Sequence, residues 1–207
     1  MNAIDYMNLS PIVPVVVLDD AEHALPLADA LLAGGINIME ITLRSDAALA
    51  SIERIAKDLP DMHVGAGTVL DAQQMIRVRD AGGQFSFSPG ISDELLDCAK
   101  QEAIPFIPGV ATASEVMLAM RHVIEGCKLF PASAVGGIEL LKGFAGPFGS
   151  MKFCPTGGVS LANMNDYLAL PNVVCVGGSW IVPKKSVAAG DFGAITKLCK
   201  EALRAIG

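Results

Sequence analysis

Eight short runs rich in valine, isoleucine and phenylalanine recur along the 207-residue chain, and their spacing constrains the fold more than any other feature. They are PIVPVVVL (11–18), INIMEITL (36–43), HVGAGTV (63–69), GQFSFSP (83–89), IPFIPGV (104–110), CKLFPA (127–132), KFCPTGG (152–158) and VVCVGGSW (173–180). Successive runs start 20–27 residues apart, near the minimum for a parallel strand, a crossover helix and two tight loops. Helix-like segments fill the gaps. AEHALPLADALLAGG follows Asp20 as N-cap and stops at Gly34-Gly35, and SDAALASIERIAKDLP opens on a Ser-Asp cap and closes at Pro60. SDELLDCAKQEA and TASEVMLAMRHV each begin with a capping residue, and SLANMNDYLAL follows the seventh run. The last, DFGAITKLCKEALRAI, carries an apolar stripe at Ile195, Leu198, Cys199 and Leu203. No composition shift or linker divides the chain. The pattern predicts an α/β protein, a single closed (β/α)8 TIM barrel over residues 1–207, with residues 1–10 as a short N-terminal helix or arm covering the barrel floor. An open doubly wound sheet is the rival and normally uses fewer strands.

Composition narrows the function. Hydrophobic residues make up 52% and charged residues 18%, enough apolar material for a large core and for a buried oligomer face. The net charge is −7, from 15 basic and 22 acidic residues with no basic cluster, so nucleic acid is not an expected partner. No apolar run has the roughly 18–20 residues of a membrane span. The opening MNAIDYMNLS has neither a basic n-region nor a long apolar stretch, and a cytoplasmic location is expected. Cys98, Cys127, Cys154, Cys175 and Cys199 are odd in number and form no C-x-x-C pair; they read as buried free thiols of a reducing compartment. His23, His63 and His122 are scattered without metal-ligand spacing, and no metal is expected.

Barrel chemistry sits at the C-terminal ends of strands. The second run ends Glu40-Ile-Thr42-Leu-Arg44, and period-two alternation turns Glu40, Thr42 and Arg44 inward together. A structural Glu–Arg salt bridge is the plain reading. Such a pair is expensive to bury and replaceable by apolar packing, which favours a functional role. In the sixth run Lys128 shares its face with Phe130, while Cys127 and Leu129 suit the helix-facing side. An inward lysine loses water and stands near Arg44; both effects disfavour the ammonium and free a nucleophilic amine. The alternatives are a snorkelling lysine or a salt bridge to Glu40. Lys152 competes, but it begins its run, roughly 13 Å along the strand from Thr156 and so towards the floor. The seventh run ends Thr156-Gly157-Gly158 and the eighth Gly177-Gly178-Ser179. Glycines there admit an anion to backbone N–H groups, as in barrel phosphate sites, or simply permit tight turns. Gly65-Ala66-Gly67-Thr68 fails as a dinucleotide fingerprint because Leu70 holds the final glycine position. Thr68 then reads as a hydroxyl lining the mouth, with Ser88-Pro89-Gly90 a rigid wall beside it.

Taken in order, E-I-T-L-R (40–44), V-G-A-G-T-V-L (64–70), F-S-P-G (87–90), K-L-F-P-A (128–132), F-C-P-T-G-G-V (153–159) and V-G-G-S-W (176–180) resemble the class I 2-keto-3-deoxy-6-phosphogluconate (KDPG) aldolases, which also act on 4-hydroxy-2-oxoglutarate. The resemblance runs from about Pro11 to the last helix. It implies that Lys128 forms a Schiff base and that Glu40 is the general acid/base. It implies that Arg44 and Thr68 hold the pyruvyl carboxylate, that Phe130 and Pro89 pack on the substrate, and that Thr156 lies near the imine. It assigns the phosphate to Gly157, Gly158 and Ser179. A homotrimer, a small keto acid substrate and the absence of any metal or other cofactor follow from it too. Ser133 departs from the acidic residue expected in several relatives, which bears on substrate preference. Chemically, an iminium on Lys128 would be the electron sink for cleaving the C3–C4 bond, with Glu40 shuttling protons. A barrel isomerase acting on a phosphosugar, an aldolase for the C4 epimer 2-keto-3-deoxy-6-phosphogalactonate, and a non-catalytic phosphate-binding barrel are the alternatives. A metal-dependent pyruvate aldolase is disfavoured by the lack of clustered ligands.

Overall fold

A computed structural model describes residues 1–206. The first strands are β1 (Ile12–Val16), β2 (Ile38–Thr42), β3 (His63–Gly67) and β4 (Ser86–Phe87). They are followed by β5 (Phe106–Ile107), β6 (Gly109–Val110), β7 (Gly126–Leu129), β8 (Lys152–Pro155) and β9 (Val176–Gly178). Every pairing is parallel. Six strands run in the order β5-β4-β3-β2-β1-β9 and three in the order β6-β7-β8. The fifth expected strand is split at Pro108, which has no N–H for a ladder. Isolated parallel bridges, Phe153↔Val173 and Thr156↔Gly177, link the β8 segment to the β9 segment. The result is a curled parallel sheet. β1 and β2 are buried along their whole length, as expected when helices cover one face and a core fills the other.

The helices are α1 (Ala3–Met7), α2 (Ala24–Ala33), α3 (Ala48–Asp58), α4 (Ala72–Asp80), α5 (Asp93–Gln101), α6 (Ala113–Arg121), α7 (Gly137–Ala145), α8 (Met164–Leu168), α9 (Lys184–Ala188) and α10 (Phe192–Ala205). Side-chain caps start several of them. Asp71 accepts from the Gln74 N–H at 2.7 Å, Asp191 accepts from Ala194 N–H, and Thr112 with Glu115 forms a capping box; each such cap contributes about 1 kcal/mol. Asp20 caps a short 3-10 turn, residues 21–23, ahead of α2 rather than α2 itself. The sequence pattern missed α4, α7 and α9. α7 starts on two left-handed glycines, its N-cap Gly136 (φ 107°) and its first residue Gly137 (φ 48°), in a glycine-rich stretch that blurs the helical period. No helix among the described residues is long and apolar enough to cross a membrane.

The N-terminal arm contains α1. Ile4 and Met7 fill the space over Gly126, the first residue of β7, where an added Cβ would stand 2.6 Å from Met7 Sδ. Tyr6 packs against His63, which begins β3, and against Phe85, at ring separations of 5.8 and 4.9 Å. The helix therefore closes the N-terminal ends of the strands and leaves chemistry to the other end. All five cysteines are free and buried.

Candidate active site

Lys128 and Glu40 meet inside the curl. Lys128, on β7, is 5% exposed and Glu40, on β2, is 1% exposed. The Lys128 Nζ donates to Glu40 Oε1 at 2.8 Å. The rings of Phe87 and Phe130 lie 5.2 and 5.5 Å from the same nitrogen, within range of cation–π attraction. Removing one partner of such a buried pair costs about 3–5 kcal/mol, whereas replacing both by packed apolar groups is often neutral. A chain needing only stability would have no reason to bury an amine and a carboxylate together.

Arg44 departs from the expected geometry. β2 ends at Thr42, so alternation no longer applies at residue 44, and Arg44 is exposed. It reaches back instead. Its Nε donates to Thr42 Oγ1 at 3.2 Å, and the Thr42 hydroxyl donates to the Val16 carbonyl at 2.9 Å. The Glu40–Arg44 salt bridge is not formed, and the charge against Lys128 is the Glu40 carboxylate rather than the Arg44 guanidinium. Lys152 begins β8 and donates to the Pro171 carbonyl at 3.0 Å near the surface, away from the pair.

The rim follows the strand ends. Thr68, just after β3, holds a left-handed backbone with φ 60°. Pro89 is pinned between strands because Gly109 leaves room for its carbonyl, 2.3 Å from where a Cβ would stand; Ser88 Oγ also accepts from the Gly109 N–H at 3.3 Å. Phe130 is half-buried, and its peptide bond to Pro131 is cis. Thr156 is buried, its side chain lying in the space over Gly177. Gly157 and Gly158 have φ of 96° and 80°. Their turn is tied down by Ser133 N–H donating to the Gly157 carbonyl at 3.0 Å and by Asn163 Nδ2 donating to the Gly158 carbonyl at 3.0 Å. The Ser133 side chain lies against Gly158. Ser179 is exposed just beyond β9, at the strand end next to that of Thr156.

Burial also governs the thiols nearest the strands. Burial pushes the Cys127 thiol up to about 12. A hydrogen bond with Cys154, then burial, then the charges of Cys154 and Glu40 hold Cys175 well above the usual thiol range. Thiols so placed stay protonated and inert. Phe87, which the sequence places only within the F-S-P-G motif, stands beside the Lys128 amine as well; the alternation of Phe85 and Phe87 in one run is the signal that could have singled it out. Among the described residues, no group of three or more His, Cys, Asp or Glu is placed to hold a metal ion.

A family model described as "Aldolase: KDPG and KHG aldolase" matches residues 3–198. The chain belongs to the KDPG and KHG aldolase family. Among curated members, the KHG/KDPG aldolase of Escherichia coli is 50% identical over 197 residues, 95% of this chain and 92% of that one. A solved family structure, the KDPG aldolase of Legionella pneumophila with pyruvate captured as a covalent carbinolamine, superposes with a TM-score of 0.95 at 45% identity, covering 97% of each chain. The Zymomonas mobilis family member, solved with 3-phosphoglycerate, has a TM-score of 0.92 at 42% identity and covers 97% of this chain and 94% of that one.

Proposed function

We propose that this chain is a Schiff-base aldolase, a carbon–carbon lyase, that reversibly cleaves KDPG to pyruvate and glyceraldehyde 3-phosphate. It also cleaves 4-hydroxy-2-oxoglutarate to pyruvate and glyoxylate. The observation that carries the reading is the buried Lys128 amine 2.8 Å from the Glu40 carboxylate. The carbinolamine captured in the Legionella relative supports it.

In this mechanism Lys128 passes a proton to Glu40, and its Nζ attacks the C2 ketone. Glu40 returns that proton to the carbinolamine hydroxyl, which leaves as water, and an iminium forms, a cation facing the rings of Phe87 and Phe130. Glu40 then takes the C4 hydroxyl proton as the C3–C4 bond breaks. The bonding electrons flow into the iminium, the aldehyde departs, and an enamine remains. Proton return to C3 from Glu40 regenerates the iminium, and hydrolysis releases pyruvate. The imine itself is the electron sink, so the scheme uses no metal or other cofactor.

The other roles follow the rim. Arg44, oriented through Thr42, and Thr68 hold the pyruvyl carboxylate; Pro89 and Phe130 pack on the substrate, and Thr156 lies near the imine. Gly157, Gly158 and Ser179 bind the phosphate. The left-handed backbone at both glycines supports that assignment, because successive N–H groups in such turns form an anion-binding concavity. That the Zymomonas relative was solved with 3-phosphoglycerate supports a phosphorylated ligand for the family fold.

The two sheets are read as one closed (β/α)8 ring forming a single domain, with the 1–10 arm as its floor. The continuous run 106–110, which carries β5 and β6, and the β8–β9 bridges support closure. The assembly is read as a homotrimer, for which exposed Leu70, Met117 and Met120 offer apolar surface. Five free buried thiols suit a reducing cytoplasm.

The test is reductive trapping. Pyruvate with borohydride should add mass to the peptide containing Lys128 and abolish KDPG cleavage. Adduct on Lys152 alone, or on no lysine, overturns the mechanism; turnover of a phosphosugar without adduct would favour an isomerase.

A further inference from the structure

We infer that Gly67 is the positioning residue for Glu40: its bare α-carbon leaves the slot in which the reacting carboxylate sits. The inference rests on the aldolase reading above and concerns how that site is built. Gly67 is the last residue of β3 and stands opposite Thr42 in the β2–β3 register, with Glu40 opposite Gly65. It is not among the glycines with positive φ, so backbone conformation does not require glycine there. Space does. A methyl group on Gly67 would lie 2.8 Å from Glu40 Oε1, 3.0 Å from its Cδ and 3.2 Å from Thr42 Cγ2. Oε1 is the atom that accepts from Lys128.

β2 and β7 are not neighbours in either sheet, so the Glu40 side chain must cross the interior to reach Lys128. It does so by leaning over the end of β3 at Gly67, where no side chain blocks it. The other tight glycines admit groups that do not react: at Gly65 a methyl would meet the Phe85 ring at 2.4 Å, and at Gly126 it would meet Met7 Sδ at 2.6 Å. The slot over Gly67 is filled instead by the group that carries the proton. Because the obstacle to a methyl is the end of a flexible side chain, Gly67→Ala should fold, and the carboxylate should yield by several tenths of an ångström.

The experiment is a double-substitution cycle in the full chain, read by steady-state kinetics on KDPG, thermal unfolding and borohydride trapping. Gly67→Ala should lower kcat about 30- to 100-fold, the order expected for a displaced catalytic group, with KM changed less than about threefold. Its unfolding midpoint should match or exceed that of the parent, since alanine narrows the unfolded ensemble, and pyruvate should still be fixed to Lys128. Glu40→Asp, one methylene shorter, withdraws from the added methyl, so the double variant should be no slower than the slower single one. A Gly67→Ala kcat within threefold of the parent, additive losses in the double variant, or a fall in kcat matched by a fall in the midpoint overturns the inference. Failure of the aldolase reading itself would show separately, as absent trapping and absent turnover in the unsubstituted protein.

Discussion

Thr68 turns the end of β3 with φ 60°, a left-handed backbone that a β-branched residue resists by about 1–2 kcal/mol. At the Gly157-Gly158 turn the same region is supplied by glycines. Strain kept at Thr68 is consistent with a side chain needed at the mouth. Thr68→Gly should raise stability by about 0.5–1 kcal/mol, the relief of strain outweighing the added freedom of the unfolded chain. It should also lower kcat/KM on KDPG at least about tenfold by removing the hydroxyl. Thermal unfolding and kinetics on one sample check both, and a lowered midpoint would refute the strain argument. At this scale the buried pair was legible: the inward direction of Glu40 and Lys128 follows from alternation inside short strands. Arg44 did not, because β2 ends two residues before it and its direction is set by the hydrogen bond to Thr42.

α5 and α6 both end in a left-handed residue that is not glycine, Ala103 (φ 52°) and Val123 (φ 60°). Each end is closed by a backbone bond, Ile104 N–H to the Ala99 carbonyl at 2.9 Å and Ile124 N–H to the Ala119 carbonyl at 3.1 Å, the geometry in which glycine is preferred. Val123 is 82% exposed, so its side chain contributes little burial to offset the strain. Val123→Gly should therefore stabilise the protein by about 1 kcal/mol, or roughly 2–4 °C for a domain of this size, with unchanged kcat. A differential scan checks it. Helices with clear caps, such as α5 and α6, were readable from sequence. α7 was not: its start depends on Gly136 and Gly137 taking left-handed φ, with the Gly137 α-carbon so close to Tyr167 that an added Cβ would stand 2.6 Å from its hydroxyl.

Across the whole molecule, the buried thiols tie stability to alkaline pH. Cys127 is pushed up to about 12 and Cys199 to about 11, chiefly by burial. In the unfolded chain a thiol ionises near its ordinary value of about 8.5. Between that value and the folded one, the unfolded state has lost protons that the folded state keeps, so stability falls as pH rises. Below about pH 8 these groups leave stability unchanged. The loss should begin near pH 9 and level off for Cys127 near pH 12, at roughly 1.4 kcal/mol per pH unit for each fully affected thiol. Denaturant unfolding across this range tests it: Cys127→Ala should be less stable at pH 7, because it leaves a cavity, yet decline less steeply above pH 9. An equal slope would refute the assignment.

The spacing of apolar runs and the alternation within them were enough to determine a parallel α/β architecture with an inward lysine and carboxylate, because these signals are local and repeat along the chain, while the six ordered motifs carried the resemblance to the family. Only the tertiary structure decided that Lys128 meets Glu40, 88 residues away, and that Arg44 does not. That encounter depends on the curl of the sheet and on the empty space over Gly67. No local pattern encodes the distance between strands that are not neighbours.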